Sequence, residues 1–124
     1  MATKKLDLIP LYDWGMFTEP RPSVVAGPCS AETEEQVMET AKGLKELGIN
    51  VFRAGIWKPR THPGCFEGIG VPGLKWMQKA KKEYGLKIST EVASEKHVFE
   101  CLKHGVDLVW IGARTTANPF LVQE

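Results

Sequence analysis

Four short apolar runs along the chain are separated by longer stretches in which apolar residues recur every three or four positions. The short runs have the length of buried strands, and the longer stretches have the spacing of amphipathic helices. Alternation of this kind predicts an α/β fold in which parallel strands are joined by helical crossovers. The predicted strands are residues 23–26, 49–53, 86–91 and 106–111.

Capping residues set the boundaries of three predicted helices. Thr33 is expected to be an N-cap with Gln36 three residues later, which is the spacing of a capping box. Pro72 suits the first turn of the second helix, and Ser94 suits the N-cap of the third. Residues 117–124 are predicted to begin a further helix or a loop. Glycine closes each helix before an apolar residue opens the next strand, at Gly48, Gly85 and Gly105.

The beginning of the chain differs from the rest. Pro10, Pro20 and Pro22 interrupt it, and it carries several apolar side chains that can pack against the rest of the chain. We therefore predict an N-terminal arm or lid over residues 1–22 and an α/β unit over residues 23–124. The total of 124 residues fits a single domain.

The bulk composition excludes several classes of function. The net charge is +1, so no global field attracts nucleic acid or an anionic membrane surface. No apolar run approaches the ~20 residues of a membrane span, and the first residues lack the apolar core of a signal peptide. The three cysteines are odd in number and widely spaced. This argues against a disulfide framework and for a reducing compartment, which predicts a cytoplasmic protein.

Polar and reactive groups follow each predicted strand. In parallel α/β folds, ligands gather at the carboxyl ends of the strands. Here those ends carry residues 27–30, 53–61, 90–91 and 112–116. Because unpaired clustered cations repel one another, a set of cations at these ends predicts a site for one or two phosphorylated ligands. The cations are Arg53, Lys58, Arg60 and Arg114.

Other residues keep two interpretations on the sequence alone. Cys29 follows Gly-Pro at the first strand end, but a lone cysteine is more often a small buried hydrophobe than a ligand. Glu91 is equally consistent with a structural ion pair and with a group that orients a cation or a water. His97 and His104 share a helix face and are expected to be solvated, as is the lysine cluster of Lys79, Lys81 and Lys82.

Three of the strand-end segments together resemble the 3-deoxy-D-arabino-heptulosonate 7-phosphate (DAHP) synthases. They are Ala-Gly-Pro-Cys-Ser at residues 26–30, the stretch 53–61 that ends in Lys-Pro-Arg-Thr, and Gly-Ala-Arg-Thr-Thr at residues 112–116. The resemblance covers residues 23–124. It is strongest to the compact subtype whose bacterial members are sometimes fused to chorismate mutase.

The resemblance implies a fold, a reaction and a cofactor. The fold is a (β/α)8 TIM barrel, of which this chain would supply about the first four βα units. The reaction is the aldol-type condensation of phosphoenolpyruvate with erythrose 4-phosphate, catalysed by a transferase at the first step of the shikimate pathway to the aromatic amino acids. The cofactor is a divalent metal ion of the Mn, Fe, Zn or Co type.

The resemblance also implies roles for individual residues. Cys29 is implied as a metal ligand, and with Lys58 it forms the implied catalytic pair. Phosphoenolpyruvate would be held by Arg53, Lys58 and Arg114. Erythrose 4-phosphate would be contacted by Arg60 and Thr61, and Glu91 would lie near a phosphate.

A complete barrel of this kind takes about 250 residues. The resemblance places the remaining metal ligands beyond Glu124, so we expect the isolated chain to bind no metal tightly and to be inactive by itself. We also expect it to associate with itself or with a C-terminal half of the barrel. Two alternatives stay open: the related 3-deoxy-D-manno-octulosonate 8-phosphate synthase, whose equivalent loop has Lys-Ala-Asn-Arg character, and a non-catalytic anion-binding or assembly module.

Overall fold

A four-stranded parallel sheet is the centre of the computed structural model, which describes residues 6–17, 22–60 and 62–124. The spatial order of the strands is the same as their order along the chain, and every neighbouring pair is parallel. The parallel α/β architecture predicted from the sequence is therefore confirmed. The strands are β1 (Val25–Ala26), β2 (Val51–Arg53), β3 (Lys87–Val92) and β4 (Leu108–Ile111).

All four strands begin later than the apolar pattern predicts, and in β2 and β4 the reason is that the preceding helix uses the first backbone amides. The amide of Ile49 donates to the carbonyl of Leu44 at 3.0 Å, and the amide of Val106 donates to the carbonyl of Cys101 at 3.0 Å. Both bonds close the last turn of a helix. These residues therefore complete helices, although their apolar side chains suit a strand.

Helices join the strands in the predicted order, and their caps are the predicted ones. The amide of Gln36 donates to Thr33 Oγ1 at 3.1 Å, and the amide of His97 donates to Ser94 Oγ at 3.3 Å. Gly85 ends the second helix in the left-handed conformation, with φ of 65°. The three crossover helices are α1 (Glu34–Glu46), α2 (Val71–Tyr84) and α3 (Glu95–Lys103).

The end of the chain is more helical than predicted. Two short helices, α4 (Ala113–Thr116) and α5 (Pro119–Gln123), follow β4. Asn118 separates them, and its side chain accepts hydrogen bonds from the amides of Phe120 and Leu121. The sequence predicted a helical segment or loop from residue 117, so α4 is an addition.

The two faces of the sheet have different compositions. The face toward the helices is apolar: Phe52 and Ile88 are fully buried there against Leu74 and Met77 of α2. We call this face and the helices on it the helical layer. Side chains alternate along a strand, so the opposite, inner face carries the residues between them. The inner face includes Arg53, Ser89, Glu91 and Trp110, and the register pairs Arg53 with Ser89 and Glu91 with Trp110.

Lys79 and Lys82 are exposed, as predicted for a solvated lysine cluster, but Lys81 is partly buried in an ion pair of the helical layer. Lys81 Nζ lies 2.9 Å from both carboxylate oxygens of Asp107 and donates to the carbonyl of Gly105. Asp107 also accepts from the amide of Ile88 at 2.9 Å, so the pair joins α2 to the sheet. Lys79 pairs with Glu34 on the neighbouring helix α1. Both contacts are tertiary, which the local spacing of the lysines does not reveal.

The described part of the N-terminal arm lies at the amino ends of the strands. It contains a short 3-10 helix, Leu11–Trp14. Met16 and Phe17 line a cavity together with residues 47–51, which lead into β2. The arm is thus at the opposite end of the sheet from the strand-end polar residues. Among the described residues, no helix has the length and apolar character needed to cross a membrane.

Candidate anion-binding site

The loops that follow the carboxyl ends of the strands form one rim, and Lys58 bridges two of them. Its ammonium group donates to the carbonyl oxygen of Cys29 and lies 3.0 Å from Cys29 Sγ. Gly55 makes room for this reach, because a Cβ there would lie 2.7 Å from Lys58 Nζ and 2.2 Å from the Cys29 carbonyl oxygen. The end of β1 and the loop after β2 are therefore held together by a lysine.

Gly27 lets the end of β1 approach the end of β2. Its φ is 151°, and a Cβ at this position would lie 1.8 Å from the carbonyl oxygen of Arg53. Such a contact with backbone cannot be relieved by moving a side chain. The Gly-Pro-Cys turn therefore requires glycine here, and it brings Cys29 to the rim beside Arg53 and Lys58.

The Cys29 thiol is exposed and stands in a positive environment. The hydrogen bond from Lys58 lowers the pKa of Cys29, with the charge of Lys58 as the next contribution and Arg53 adding to it, while partial burial opposes the shift. A cation beside a thiol stabilises the thiolate, which is the form that acts as a metal ligand or nucleophile. Cys29 is thus not the buried small hydrophobe that its residue type alone favours.

Arg53 is held by an aromatic ring from β4. Its guanidinium carbon lies 4.8 Å from the centroid of Trp110, the geometry of a cation–π contact. Stacking occupies the face of the guanidinium group and leaves the N–H donors at its edge for an anion. β3 lies between these two strands, so the contact crosses the inner face of the sheet.

The loop after β2 is fixed by contacts with its neighbours. The amide of Lys58 donates to the carbonyl of Glu67 at 2.7 Å, and Arg60 Nε donates to the carbonyl of Phe66 at 2.9 Å. From α4, Arg114 donates to the carbonyl of Pro59. Arg114 therefore extends from the end of β4 to the loop after β2, which brings the fourth strand end to the same part of the rim.

Glu91 occupies the middle of this arrangement, on β3. A Cβ on Gly112 would lie 1.9 Å from Glu91 Oε1, so the carboxylate packs directly against the backbone that leads into α4. Beside it on the inner face, Ser89 Oγ is fully buried and has no hydrogen-bond partner among the described residues. The position of Glu91 is consistent with a group that orients the surrounding rim.

The structure adds Trp57 and His97, which the sequence pattern did not assign to the site. Their rings stack with centroids 4.0 Å apart and an interplanar angle of 6°. The prediction of solvated histidines is therefore wrong for His97, and also for His104, which is 8% exposed and bonded through its ring to the Glu100 carbonyl. One signal could have indicated His97: it lies three residues after the Ser94 cap, in the first turn of a helix that begins at the rim.

The predicted metal site is incomplete within the part of the chain that the structure describes. Thr61, predicted to contact the second substrate, lies outside the described residues. Among the residues that are described, no group of three or more His, Cys, Asp or Glu could hold a metal ion. Cys29 supplies one soft donor, and a divalent site needs several protein ligands. The described residues therefore do not fit a complete metal site.

Comparison with known proteins decides the family. The model of the DAHP synthetase I family matches residues 17–124. The chain belongs to this family. The resemblance inferred from the strand-end segments is confirmed, and the DAHP synthetase I match includes every candidate site residue named above.

Individual relatives agree with the family. A phospho-2-dehydro-3-deoxyheptonate aldolase of Thermotoga maritima is 42% identical over 104 residues, which is 84% of this chain and 29% of the relative. A 2-dehydro-3-deoxyphosphooctonate aldolase of Vesicomyosocius okutanii is 38% identical over 84 residues, or 62% of this chain and 30% of that protein. The chain therefore spans less than a third of the length of these two relatives.

Solved structures match as well. A crystal structure of DAHP synthase from Thermotoga maritima superposes with a TM-score of 0.72 at 41% identity, covering 80% of this chain and 28% of that one. A truncated form of 3-deoxy-D-arabino-heptulosonate 7-phosphate synthase from the same organism gives a TM-score of 0.65 at 39% identity, covering 79% and 34%. The four parallel strands thus correspond to part of a DAHP synthase, and they are half the strands of a (β/α)8 barrel.

Proposed function

We propose that this chain is the phosphoenolpyruvate-binding part of a DAHP synthase, which condenses phosphoenolpyruvate with erythrose 4-phosphate at the start of the shikimate pathway. The observation that carries the proposal is that one rim gathers cations from the ends of β2 and β4 beside the thiol at the end of β1. Lys58 reaches Cys29, Arg53 stacks on Trp110, and Arg114 reaches Pro59. Family membership supports the same reaction.

The charges fit the proposed substrate. Phosphoenolpyruvate carries a phosphate and a carboxylate, and arginine binds either group through two parallel hydrogen bonds. Arg53 and Arg114 would hold these groups, with Lys58 as a point charge between them. Arg60 and Thr61 would contact the phosphate of erythrose 4-phosphate. The two substrates are both anions and repel each other. Holding them side by side would by itself contribute much of the rate enhancement.

Cys29 would be the metal ligand that this chain contributes. A thiolate is a good ligand for a divalent ion of the Zn, Fe, Co or Mn type, and Lys58 and Arg53 favour the thiolate form. The bound ion would act as a Lewis acid toward the aldehyde of the second substrate. The other ligands would come from elsewhere in the parent enzyme, and Lys58 would keep the thiolate oriented. The three free cysteines support a reducing location such as the cytoplasm.

A binding experiment tests the anion site directly. We expect phosphoenolpyruvate to bind the folded chain, and Arg114→Ala to weaken binding by about 2–4 kcal/mol, as for a lost charged hydrogen bond. Isothermal titration calorimetry measures both. Lys42→Ala, an exposed cation of α1 away from the rim, is the matched control and should bind as the unchanged chain does. Equal affinities for all three proteins would contradict the assignment.

An activity experiment separates the enzyme from the alternatives. Full-length parent enzyme is assayed with erythrose 4-phosphate and with arabinose 5-phosphate, and preference for the first supports the DAHP reaction. Cys29→Ser in that enzyme should abolish metal-dependent turnover, because a hydroxyl is a poor substitute for a soft thiolate. Preference for arabinose 5-phosphate would favour the octulosonate reaction. An inactive parent that still binds phosphoenolpyruvate would favour the binding module.

Self-association, or pairing with a C-terminal half of the barrel, is the proposed assembly. The outer side of β4 exposes Val109 and Ile111, which are 40% and 47% accessible, and α3 also exposes Phe99 and Leu102. Apolar patches of this kind drive association. Sedimentation velocity should show species larger than the monomer, and Ile111→Thr should shift them toward it. A monodisperse monomer at all concentrations would contradict this proposal.

A further inference from the structure

The loop of residues 57–60 carries two of the proposed substrate-binding cations, so its position matters for the site. Contacts already described hold it from two other strand ends, at Cys29 after β1 and Arg114 after β4, and from the returning part of its own connection at Glu67. The remaining side faces the beginning of α3. There the only described ring contact is the stack of Trp57 on His97.

The stack is built on a specific form of His97. The amide of Ala93 donates to His97 Nδ1 at 3.1 Å, so this ring nitrogen accepts and carries no proton. The ring lies parallel to the indole, 4.0 Å away. Trp57 packs in turn against the helical layer. Its ring is therefore clamped between the core and an imidazole whose orientation is set by a backbone hydrogen bond.

We propose that Trp57 and His97 are a positioning pair that fixes Lys58 and Arg60 at the rim, and that only the neutral imidazole holds the pair in place. This inference rests on the proposed anion-binding function. Neither residue needs to touch a substrate. A loop that is already fixed loses less conformational entropy when an anion binds. Loss of the stack should therefore weaken anion binding.

The charges around His97 explain why the neutral form is favoured. His97 lines a cavity of about 250 Å³ together with Lys58, Arg60 and Glu67, and Lys96 precedes it on α3. Burial lowers the pKa of His97, and the charge of Lys96 lowers it further. Protonation at Nδ1 would leave the Ala93 amide without its acceptor. An imidazolium would gain from the indole face and from Glu67, whereas burial, the charge of Lys96 and the loss of the Ala93 hydrogen bond oppose it.

Sulfate is the probe for the first test, because its charge does not change over about pH 5 to 8, the range in which histidine titrates. Trp57→Ala should weaken sulfate binding about twofold to tenfold, the factor expected for an aromatic pair. Trp57→Phe keeps a ring and should stay within about twofold. Trp14→Ala, an exposed tryptophan of the arm, is the matched control and should have no effect.

The pH dependence tests the role of the neutral ring. Sulfate affinity of the unchanged chain should fall as His97 becomes protonated, whereas His97→Phe keeps a stacking ring and should remove that part of the dependence. Trp57 fluorescence should be quenched over the same range, since an imidazolium quenches a stacked indole. Both Trp57→Phe and His97→Phe should lose this quenching transition.

Hydrogen exchange at the Lys58 amide separates the inference from the proposed function. This amide is bonded to Glu67, and it should exchange faster in Trp57→Ala than in Trp57→Phe. If the unchanged chain binds no sulfate, the anion site is overturned, and the exchange rates still decide whether the pair positions the loop. Unchanged exchange and unchanged sulfate affinity in a folded Trp57→Ala would overturn the positioning pair while leaving the anion site standing.

Discussion

Two cysteines, one at the rim and one in the helical layer, show that these two regions have opposite effects on the ionisation of a thiol. Cys29 is exposed beside Lys58 and Arg53, which lower its pKa. Cys101 is 2% exposed on α3, and burial raises its pKa to about 11. The rim stabilises the thiolate and leaves it accessible, whereas the apolar core of the helical layer disfavours the charged form of the buried thiol. Binding and stability are thus divided between opposite sides of the same short strands.

Adjacent residues of β2 give the strongest test of this division. Phe52 points into the helical layer and is fully buried, so Phe52→Ala should lower the free energy of unfolding by about 3–5 kcal/mol. Arg53→Ala should change it by less than about 1 kcal/mol but abolish detectable phosphoenolpyruvate binding. Urea unfolding and calorimetry measure the two effects. If Arg53→Ala destabilised the fold as much as Phe52→Ala does, the two faces would not have separate tasks.

Two glycines test the same division in the backbone. Gly27→Ala should cost about 3 kcal/mol, because the new methyl group would collide with the Arg53 carbonyl at a φ that favours glycine. A methyl group on Gly43 in α1 would meet no atom within 4 Å, so Gly43→Ala should instead stabilise by about 0.5–1 kcal/mol. Thermal unfolding followed by circular dichroism compares them. Equal effects would mean that β1 and β2 can separate freely at the rim.

The thiols themselves give the third test. Near neutral pH, Cys29 should be alkylated by iodoacetamide at least about a hundredfold faster than Cys101 in the folded chain. Lys58→Met should slow the reaction of Cys29, and Lys42→Met should not. Peptide mass spectrometry resolves each site. Comparable rates at Cys29 and Cys101 would show that the layer opens more readily than its packing indicates.

These shifts have opposite consequences for stability against pH. The pKa of Cys29 is lowered in the folded state. Ionised Cys29 therefore stabilises the fold above pH 9.0, the pKa of the unfolded chain, and this stabilisation is lost as the pH falls through the folded-state pKa. The pKa of Cys101 is raised in the folded state. Its contribution to the stability of the fold is therefore fully present below pH 9.0 and is lost as the pH rises toward about 11. Alkaline unfolding should therefore begin later in Cys101→Ala than in Cys29→Ala.

Neighbouring hydroxyls on β3 give the smallest expected effects. Ser89 Oγ on the inner face has no described partner, so Ser89→Ala should be neutral or stabilising, by up to about 1 kcal/mol. Thr90 Oγ1 donates to the Ala54 carbonyl at 2.8 Å in the helical layer, and Thr90→Val should cost about 1 kcal/mol. Chemical unfolding of both variants decides the sign. A destabilised Ser89→Ala would indicate a partner for this hydroxyl at the rim.

Local signals predicted most of the fold. Thr33, Ser94 and Gly85 end or begin helices as expected, because a cap depends on residues within one turn of it. The predicted beginnings of strands were less accurate where an apolar residue such as Val106 makes the last hydrogen bond of the preceding helix. The type of side chain does not reveal whether the backbone amide of a residue will bond to the helix before it or to a neighbouring strand.

The candidate site was predicted where charge and position coincide, as at Arg53, Lys58 and Arg114. The partners that hold these cations were not predicted. Trp57 and His97 are forty positions apart, and Trp110 lies further still from Arg53. Nothing in one short segment indicates that its ring will meet a residue from another strand end. Such contacts depend on strand order and register, which the sequence pattern leaves unspecified.

The strand order has a consequence for how the chain is made. Each strand pairs with the one that precedes it in the sequence, so every new βα unit finds its partner already synthesised. Domains generally fold from the N-terminus as the ribosome releases them. Among the four described strands, β2, β3 and β4 each find a partner in earlier sequence, and the backbone pairings of the sheet join successive units. Within the described strands, the sheet can therefore grow during synthesis by addition at one edge, from β1 toward β4.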